Sequence, residues 1–347
     1  MNNFLKNAWY VAAWSDEVKK GELFNRTLLD IPVVIYRNTD GKVVAMEDRC
    51  PHRFAPLHCG KLIGNYVECP YHGLQFGEGG KCVHNPHGDG KIPLAARVRA
   101  FAVEECDGIV WIWMGDPGNA NPAAIVRYPE IVDNTTLRTI HGHFVVKCDY
   151  RVEMDNLMDL THPEFLHADS IGSGGLKAAK YEVKQVGETT VHSNRWFDKG
   201  LPPPLFDQIY KLNGQQVEHW ANMRWDAPSN LYLDVGVTLV GRSREDGNRA
   251  VALHLLTPGS ETSTHYFFSH TRDHDLDSDS VDEMIRNALI QVFVGEDKPM
   301  VEAVQQRMGT TDLWSLKPVL LSGDAGAVRA RRALEKLISD ELARSEG

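Results

Sequence analysis

A chain of 347 residues with a net charge of −10 is long enough for two domains of ordinary size, each with its own core. Hydrophobic residues at 42% and charged residues at 24% fit a globular chain rather than a disordered one, and the acidic balance argues against nucleic acid or an anionic membrane surface as partner. No apolar run approaches the roughly 20 residues needed to span a bilayer. The start, Met1 to Tyr10, lacks the apolar core and small-residue cleavage site of a secretory signal, so a cytoplasmic location is expected.

Residues 32–37 and 42–47 are rich in Val, Ile and Tyr, and Asn38-Thr-Asp-Gly41 between them predicts a β-hairpin. Cys50-Pro-His52 comes next, and after sixteen intervening residues Cys69-Pro-Tyr-His72. Each short loop offers one Cys and one His, whereas a zinc site usually takes both cysteines from one turn and both histidines from another. Two thiolates on one iron and two imidazoles on a second are the ligand set of a Rieske [2Fe–2S] centre. The segment is therefore read as handling electrons, with structural zinc as the alternative. Cys59, Cys82, Cys106 and Cys148 are read as free, buried thiols, as suits a reducing compartment. Gly77-Glu-Gly-Gly80 has the composition of a turn and not the spacing of a dinucleotide fingerprint. Stretches 98–105 and 109–114 flank Asp107-Gly108 as a second hairpin. Residues 1–117 are thus expected to form a small all-β domain, closed by the linker-like Gly115-Asp-Pro-Gly-Asn-Ala-Asn-Pro122.

Residues 118–347 have a different pattern. A strand over 139–148 and a helix over about 150–167 are succeeded by strand-like runs at about 180–186, 189–197, 219–225, 231–240, 250–257 and 264–270, which predict an antiparallel sheet. Ser280-Val-Asp-Glu283 reads as a capping box opening one long helix to about 307, and a last helix is expected over about 325–343. The fold class is accordingly α+β. Within the first helix, Asp159, His162 and His167 set carboxylate, imidazole and imidazole at spacings of three and five. On a helix Asp159 and His162 would share a face, and His167 would return to that side beyond the break at Pro163. Two histidines and a carboxylate are the facial triad of mononuclear non-haem Fe(II) enzymes. A third ligand must then come from elsewhere in the chain.

Taken together, Cys50-Pro-His52, Cys69-Pro-Tyr-His72-Gly, Asp155-Asn-Leu-Met-Asp159 and His162 with His167 resemble a Rieske non-haem iron oxygenase nearly end to end. Asn7-Ala-Trp-Tyr-Val-Ala-Ala13, Cys50-Pro-His-Arg-Phe-Ala-Pro-Leu57 and Val110-Trp-Ile-Trp-Met-Gly-Asp-Pro117 are similar to the oxygenase components of vanillate and dicamba O-demethylases. The resemblance implies a helix-grip (START-like) catalytic domain over 118–347. It implies Asp297, in Gly295-Glu-Asp-Lys-Pro-Met-Val-Glu-Ala303, as the third iron ligand, with Glu296 as the alternative one residue away. Asp159 resembles the carboxylate that bridges a cluster histidine of a neighbouring subunit to an iron-bound histidine, and Asn156 a residue close to the iron. His254 matches in position a substrate-contacting histidine of the dicamba-type enzyme, and Leu233 stands where that enzyme has a polar pocket residue. Arg195, Arg224 and Arg272 could pair with a substrate carboxylate but are read as surface or strand-end charges.

The implied cofactors are a Rieske [2Fe–2S] cluster, mononuclear Fe(II) and O2. The implied partners are an aromatic acid substrate, a separate NAD(P)H-dependent reductase and further copies of the chain in a head-to-tail homotrimer. The implied reaction is hydroxylation of an aryl methyl ether such as vanillate to a hemiacetal that collapses to a phenol and formaldehyde. Methyl hydroxylation or ring dihydroxylation of another aromatic acid is the first alternative, and an electron-transfer or ligand-binding protein without catalysis is the second.

Overall fold

In the computed structural model, which describes residues 4–172, 175 and 179–345, two β-rich regions pack against one another. Met1, Asn2 and Asn3, at the start of the chain, lie outside the described residues. Strands β1 (Trp9–Trp14), β2 (Phe24–Leu28), β3 (Ile31–Arg37) and β4 (Val43–Glu47) open the chain. Four short strands come next: β5 (Lys61–Ile63), β6 (Tyr66–Glu68), β7 (Gln75–Phe76) and β8 (Cys82–His84). The chain then returns through β9 (Ala100–Cys106) and β10 (Ile109–Trp113). The larger sheet runs β1-β10-β9-β4-β3-β2 and the smaller β5-β6-β7-β8, so the short strands form a separate platform inserted between β4 and β9. Asp107 and Gly108 both take positive φ (53° and 70°), the geometry a two-residue Asp-Gly hairpin demands, and Cys106 duly pairs with Ile109.

The second region holds β11 (Arg138–Val146), α1 (Tyr150–Met158), α2 (Pro163–Leu166), β12 (Lys180–Val186), β13 (Thr190–Gly200) and α3 (Pro204–Tyr210). It continues with β14 (Val217–Asp226), β15 (Asn230–Leu239), β16 (Asn248–Ser260), β17 (Ser263–Arg272), α4 (Asp279–Ile290), α5 (Lys298–Met308) and α6 (Ala325–Ser345). Its strands form one antiparallel sheet in the order β11-β17-β16-β15-β14-β13-β12. The helices cover one face. The other face receives the N-terminal region: Trp9, Val11, Trp14, Trp111 and Trp113 pack with Leu253, Leu255 and Phe267. Burial on both faces explains why residues 250–256 of β16 read as a nearly continuous apolar run, and β17, although largely polar in sequence, is buried from Thr264 to Arg272. Each fully buried Leu or Phe in that seam contributes roughly 1.5–3 kcal/mol. Polar bonds fix the docking angle, with the Trp14 indole donating to the Gly142 carbonyl (2.9 Å) and Thr257 Oγ1 to the Val11 carbonyl (2.7 Å).

Several local expectations are corrected. The helix from Tyr150 stops at Met158, because Asp159 turns into extended backbone (φ −88°, ψ 101°), so Asp159 and His162 do not share a helix face. The long C-terminal helix starts earlier than the capping box implied: Ser278, not Ser280, is the cap, its Oγ accepting from the Val281 N–H. That helix is also interrupted by a π-helical segment, Gln291–Asp297, between α4 and α5. Cys59 is exposed and Cys106 half-buried rather than buried, and Arg195, inside β13 and 4% exposed, is neither a surface nor a strand-end charge, whereas Arg272 does end β17 but is buried there.

Candidate active site

The two cluster loops are copies of one backbone device. Cys50 N–H donates to the Ala55 carbonyl and Phe54 N–H returns to the Cys50 carbonyl, both at 2.9 Å. In the second loop Cys69 N–H donates to the Leu74 carbonyl (2.8 Å) and Gly73 N–H to the Cys69 carbonyl (3.0 Å). The fourth residue after each cysteine takes positive φ, +60° at Phe54 and +69° at Gly73. Both thiols are buried at 2% exposure, whereas His52 is exposed and His72 half-buried, their rings 4.4 Å apart between centroids. Sulfur ligands thus lie inward and imidazoles outward, which suits two adjacent irons of different ligation. Burial pushes the Cys50 thiol up to about 11, so ligation requires the metal's charge to displace its proton.

Across the molecule, α1 and the single turn α2 present a second set of donors. His162 is the N-cap of α2, Pro163 its first residue and His167 its C-cap, so one helical turn sets the two imidazoles 5.1 Å apart between centroids. Asp297, at the end of the π-helical segment, reaches both: its Oδ1 lies 3.0 Å from His167 Nε2 and 3.5 Å from His162 Nε2. A π-turn adds a residue to the helix and rotates every later side chain about its axis, and such turns recur at functional sites. The ligating atoms of His162, His167 and Asp297 all lie within 4.8 Å of one another.

The outer bonds decide which nitrogen of each ring faces inward. His167 Nδ1 donates to Glu296 Oε2 (2.6 Å), and Gln291 Nε2 donates to the other Glu296 oxygen (3.1 Å). His162 Nδ1 donates to the main-chain carbonyl of Asp159 (2.5 Å). Both rings therefore keep Nε2 toward Asp297, as ligands of one metal should. Asn156 Nδ2 donates to Asp297 Oδ1 (3.0 Å) and steadies the carboxylate. The Asp159 carboxylate does not bond His162; it accepts from Thr161 N–H (2.8 Å) and Oγ1 (2.6 Å). Glu153 lies outside that set of converging donors, and burial and then the nearby Asp297 push its carboxyl up to about 8. Two neutral imidazoles and a carboxylate on one side of an ion are the donor set of non-haem Fe(II) with open positions.

His254 lies on the sheet wall above this set. Its Nδ1 bonds Tyr266 Oη (2.5 Å), its ring meets Phe293 edge-on at 5.5 Å, and its Nε2 is buried without a hydrogen-bond partner. Arg272 is spent on Asp282 (2.5 Å), and Arg224 on Asp226 (2.7 Å). Sequence reasoning placed Glu296 only as a substitute ligand. Its role in orienting His167 depends on the π-turn, which no local pattern announces.

Both regions of the chain match known protein families. Residues 8–101 match the Rieske [2Fe–2S] domain, and residues 146–340 match the vanillate O-demethylase oxygenase C-terminal domain. The chain belongs to the Rieske non-haem iron oxygenases of the vanillate O-demethylase type. It is 41% identical to the oxygenase component of chloroacetanilide N-alkylformylase from Rhizorhabdus wittichii, over 97% of each chain. It is 39% identical to the oxygenase component of dicamba O-demethylase from Stenotrophomonas maltophilia, over 98% of this chain and 99% of that one. A crystal structure of dicamba monooxygenase bound to 3,6-dichlorosalicylic acid superposes with a TM-score of 0.93, at 39% identity and over 98% of this chain and 99% of that one. The oxygenase is thus an enzyme that uses a Rieske [2Fe–2S] cluster and a mononuclear iron, and its relatives are named as oxygenase components.

Proposed function

We propose that this oxygenase catalyses O2-dependent O-demethylation of a methoxybenzoate, vanillate-like in class, with electrons from an NAD(P)H-dependent reductase in the cytoplasm. The observation that carries the reading is the convergence of His162, His167 and Asp297 in a chain similar over its whole length to an O-demethylase oxygenase. We assign Cys50, Cys69, His52 and His72 to the cluster, and His162, His167 and Asp297 to the iron. Bound there, the iron supplies O2 activation and the cluster delivers electrons singly. Overall, ether, O2, two electrons and two protons give a hemiacetal and water, and the hemiacetal breaks to a phenol and formaldehyde. The chain's own part is to orient and to exclude water. Glu296 and the Asp159 carbonyl hold the histidine tautomers, Asn156 holds Asp297, and His254 offers a polar contact to the substrate.

Assembly belongs to the same proposal. Phe54 and Tyr71, in the cluster loops, are 68% and 65% exposed, and Phe165, on the turn between His162 and His167, is 78% exposed. Exposed apolar side chains at both metal sites favour contact between one subunit's cluster and the next subunit's iron in a closed ring of three. In that arrangement the Asp159 carboxylate, free of His162, accepts from a cluster histidine of the neighbour. Incubation with a matched reductase, NADH and candidate ethers should release formaldehyde from vanillate, from an oxygenase with a mass of three 38.9 kDa chains. A cis-diol product would replace demethylation by ring dihydroxylation. A chloroacetanilide belongs in the same assay, because the relative named for that class is 41% identical.

A further inference from the structure

The sheet carries a second imidazole beside His254 on the face turned to the helices. His254 on β16 stands opposite Phe268 on β17, and Ala252 stands opposite His270. The two histidines are therefore diagonal neighbours on one face, roughly 7–8 Å apart and within reach of each other's long side chains. His270 is 7% exposed and His254 3%. Between them Ala252 offers only a methyl group, and Leu233 stands beside Ala252 on β15. Leu233 and Val235 lie in the central strand and pack toward the helical side, and both remain partly exposed. His254 Nε2, buried and unpartnered, belongs to the same wall.

The chemistry of this wall selects its ligand. Burial pushes His254 and His270 down to about 4 each, and Arg272, His274 and His254 add to the effect on His270. Both rings are thus uncharged hydrogen-bonding groups at neutral pH. The nearby guanidinium is committed, since Arg272 bonds Asp282 and the carbonyls of His274, Asp275 and Ser278. An oxygen substituent on a ring lying over Ala252 would meet imidazole on two sides, with the neighbouring Arg272 guanidinium already committed. We propose that His270 is a specificity-determining residue that, with His254, hydrogen-bonds the carboxylate or phenol oxygen of the aromatic substrate. The assignment rests on the function proposed for this oxygenase.

Calorimetric titration of the anaerobic holoenzyme with vanillate and with methoxybenzene, which lacks both the carboxylate and the phenol, tests it. In His270→Phe the affinity for vanillate should fall about tenfold or more, the cost of one unmet buried hydrogen bond, while methoxybenzene binds as in the wild type. His270→Gln, which keeps a donor, should recover part of the loss, and it carries the same comparison if the Phe variant loses its Rieske absorption. Equal losses for both ligands, or an unchanged vanillate affinity, overturn the assignment. Vanillate binding that depends on His270 without formaldehyde release leaves the assignment standing and overturns demethylation. Formaldehyde release at an unchanged KM in His270→Phe overturns the assignment alone, and a wild type that binds no vanillate overturns both.

Discussion

Glu296 and Asp297 are adjacent in the chain and carry the same functional group, yet they meet opposite sides of His167. Asp297 faces Nε2 at 3.0 Å and Glu296 faces Nδ1 at 2.6 Å. The first is placed to share a metal with the ring, the second to fix which nitrogen the metal sees. Replacing such an outer partner typically weakens metal affinity 10–100-fold. For Glu296→Gln we expect a loss of that order in iron affinity, read by chelator competition, with the Rieske absorption unchanged. A variant that holds iron as tightly as the wild type would remove the orienting role. From sequence, these two carboxylates differ by one step of register. The distinction appears only when a residue 130 positions away is set between them.

At the scale of elements, the cluster loops show how much a motif encodes. Spacing within Cys50-Pro-His52 and Cys69-Pro-Tyr-His72 dictates tight loops, and both adopt the same hydrogen-bonded ring. Their αL positions differ: glycine takes Gly73's φ of +69° without strain, whereas Phe54 at +60° bears the cost of a Cβ. A Cβ on Gly73 would also lie 3.2 Å from Pro86 Cγ. Gly73→Ala should therefore destabilise the cluster domain by about 1 kcal/mol or more, seen as faster loss of visible absorption on heating. Phe54→Gly should raise thermal stability slightly or leave it unchanged. The iron-site helix is the contrary case, because a helical reading of residues 150–167 hides the break at Asp159 that makes His162 and His167 the two caps of one turn.

Over the whole molecule, the interface between the two regions buries polar groups as well as tryptophans. Arg26 donates to Glu17 (2.7 Å) and contacts His143 Nδ1 (3.0 Å), His143 contacts His265 (3.0 Å), and His265 contacts the Thr27 carbonyl (2.9 Å). Burial, then Arg26, pushes His143 down to about 2 and His265 to about 4, and burial alone pushes His219 to about 3. In the unfolded chain these imidazoles take up protons near 6.5, whereas the folded ones do so only near 4 or below. The unfolded state binds more protons in between, so stability is full above about pH 6.5 and declines as pH falls toward 4. The slope is about 1.4 kcal/mol per pH unit for each such group. Thermal unfolding midpoints measured from pH 7.5 to 4 should drop across this window, and a flat profile would mean that the histidines are solvated.

The sequence by itself determined which residues stand as candidate ligands, the two loops that hold Cys50, His52, Cys69 and His72, the antiparallel sheet and the order of a β-rich Rieske domain before an α+β one. These are legible because they rest on short spacings and on strand periodicity, which the backbone enforces locally. Only the tertiary structure decided that Asp297 faces Nε2 while Glu296 takes Nδ1, that the Asp159 carbonyl rather than its carboxylate holds His162, and that His270 stands beside His254. Those relations join distant strands and helices through sheet register, a π-turn and packing, and a shift of one residue in any of them would exchange the partners.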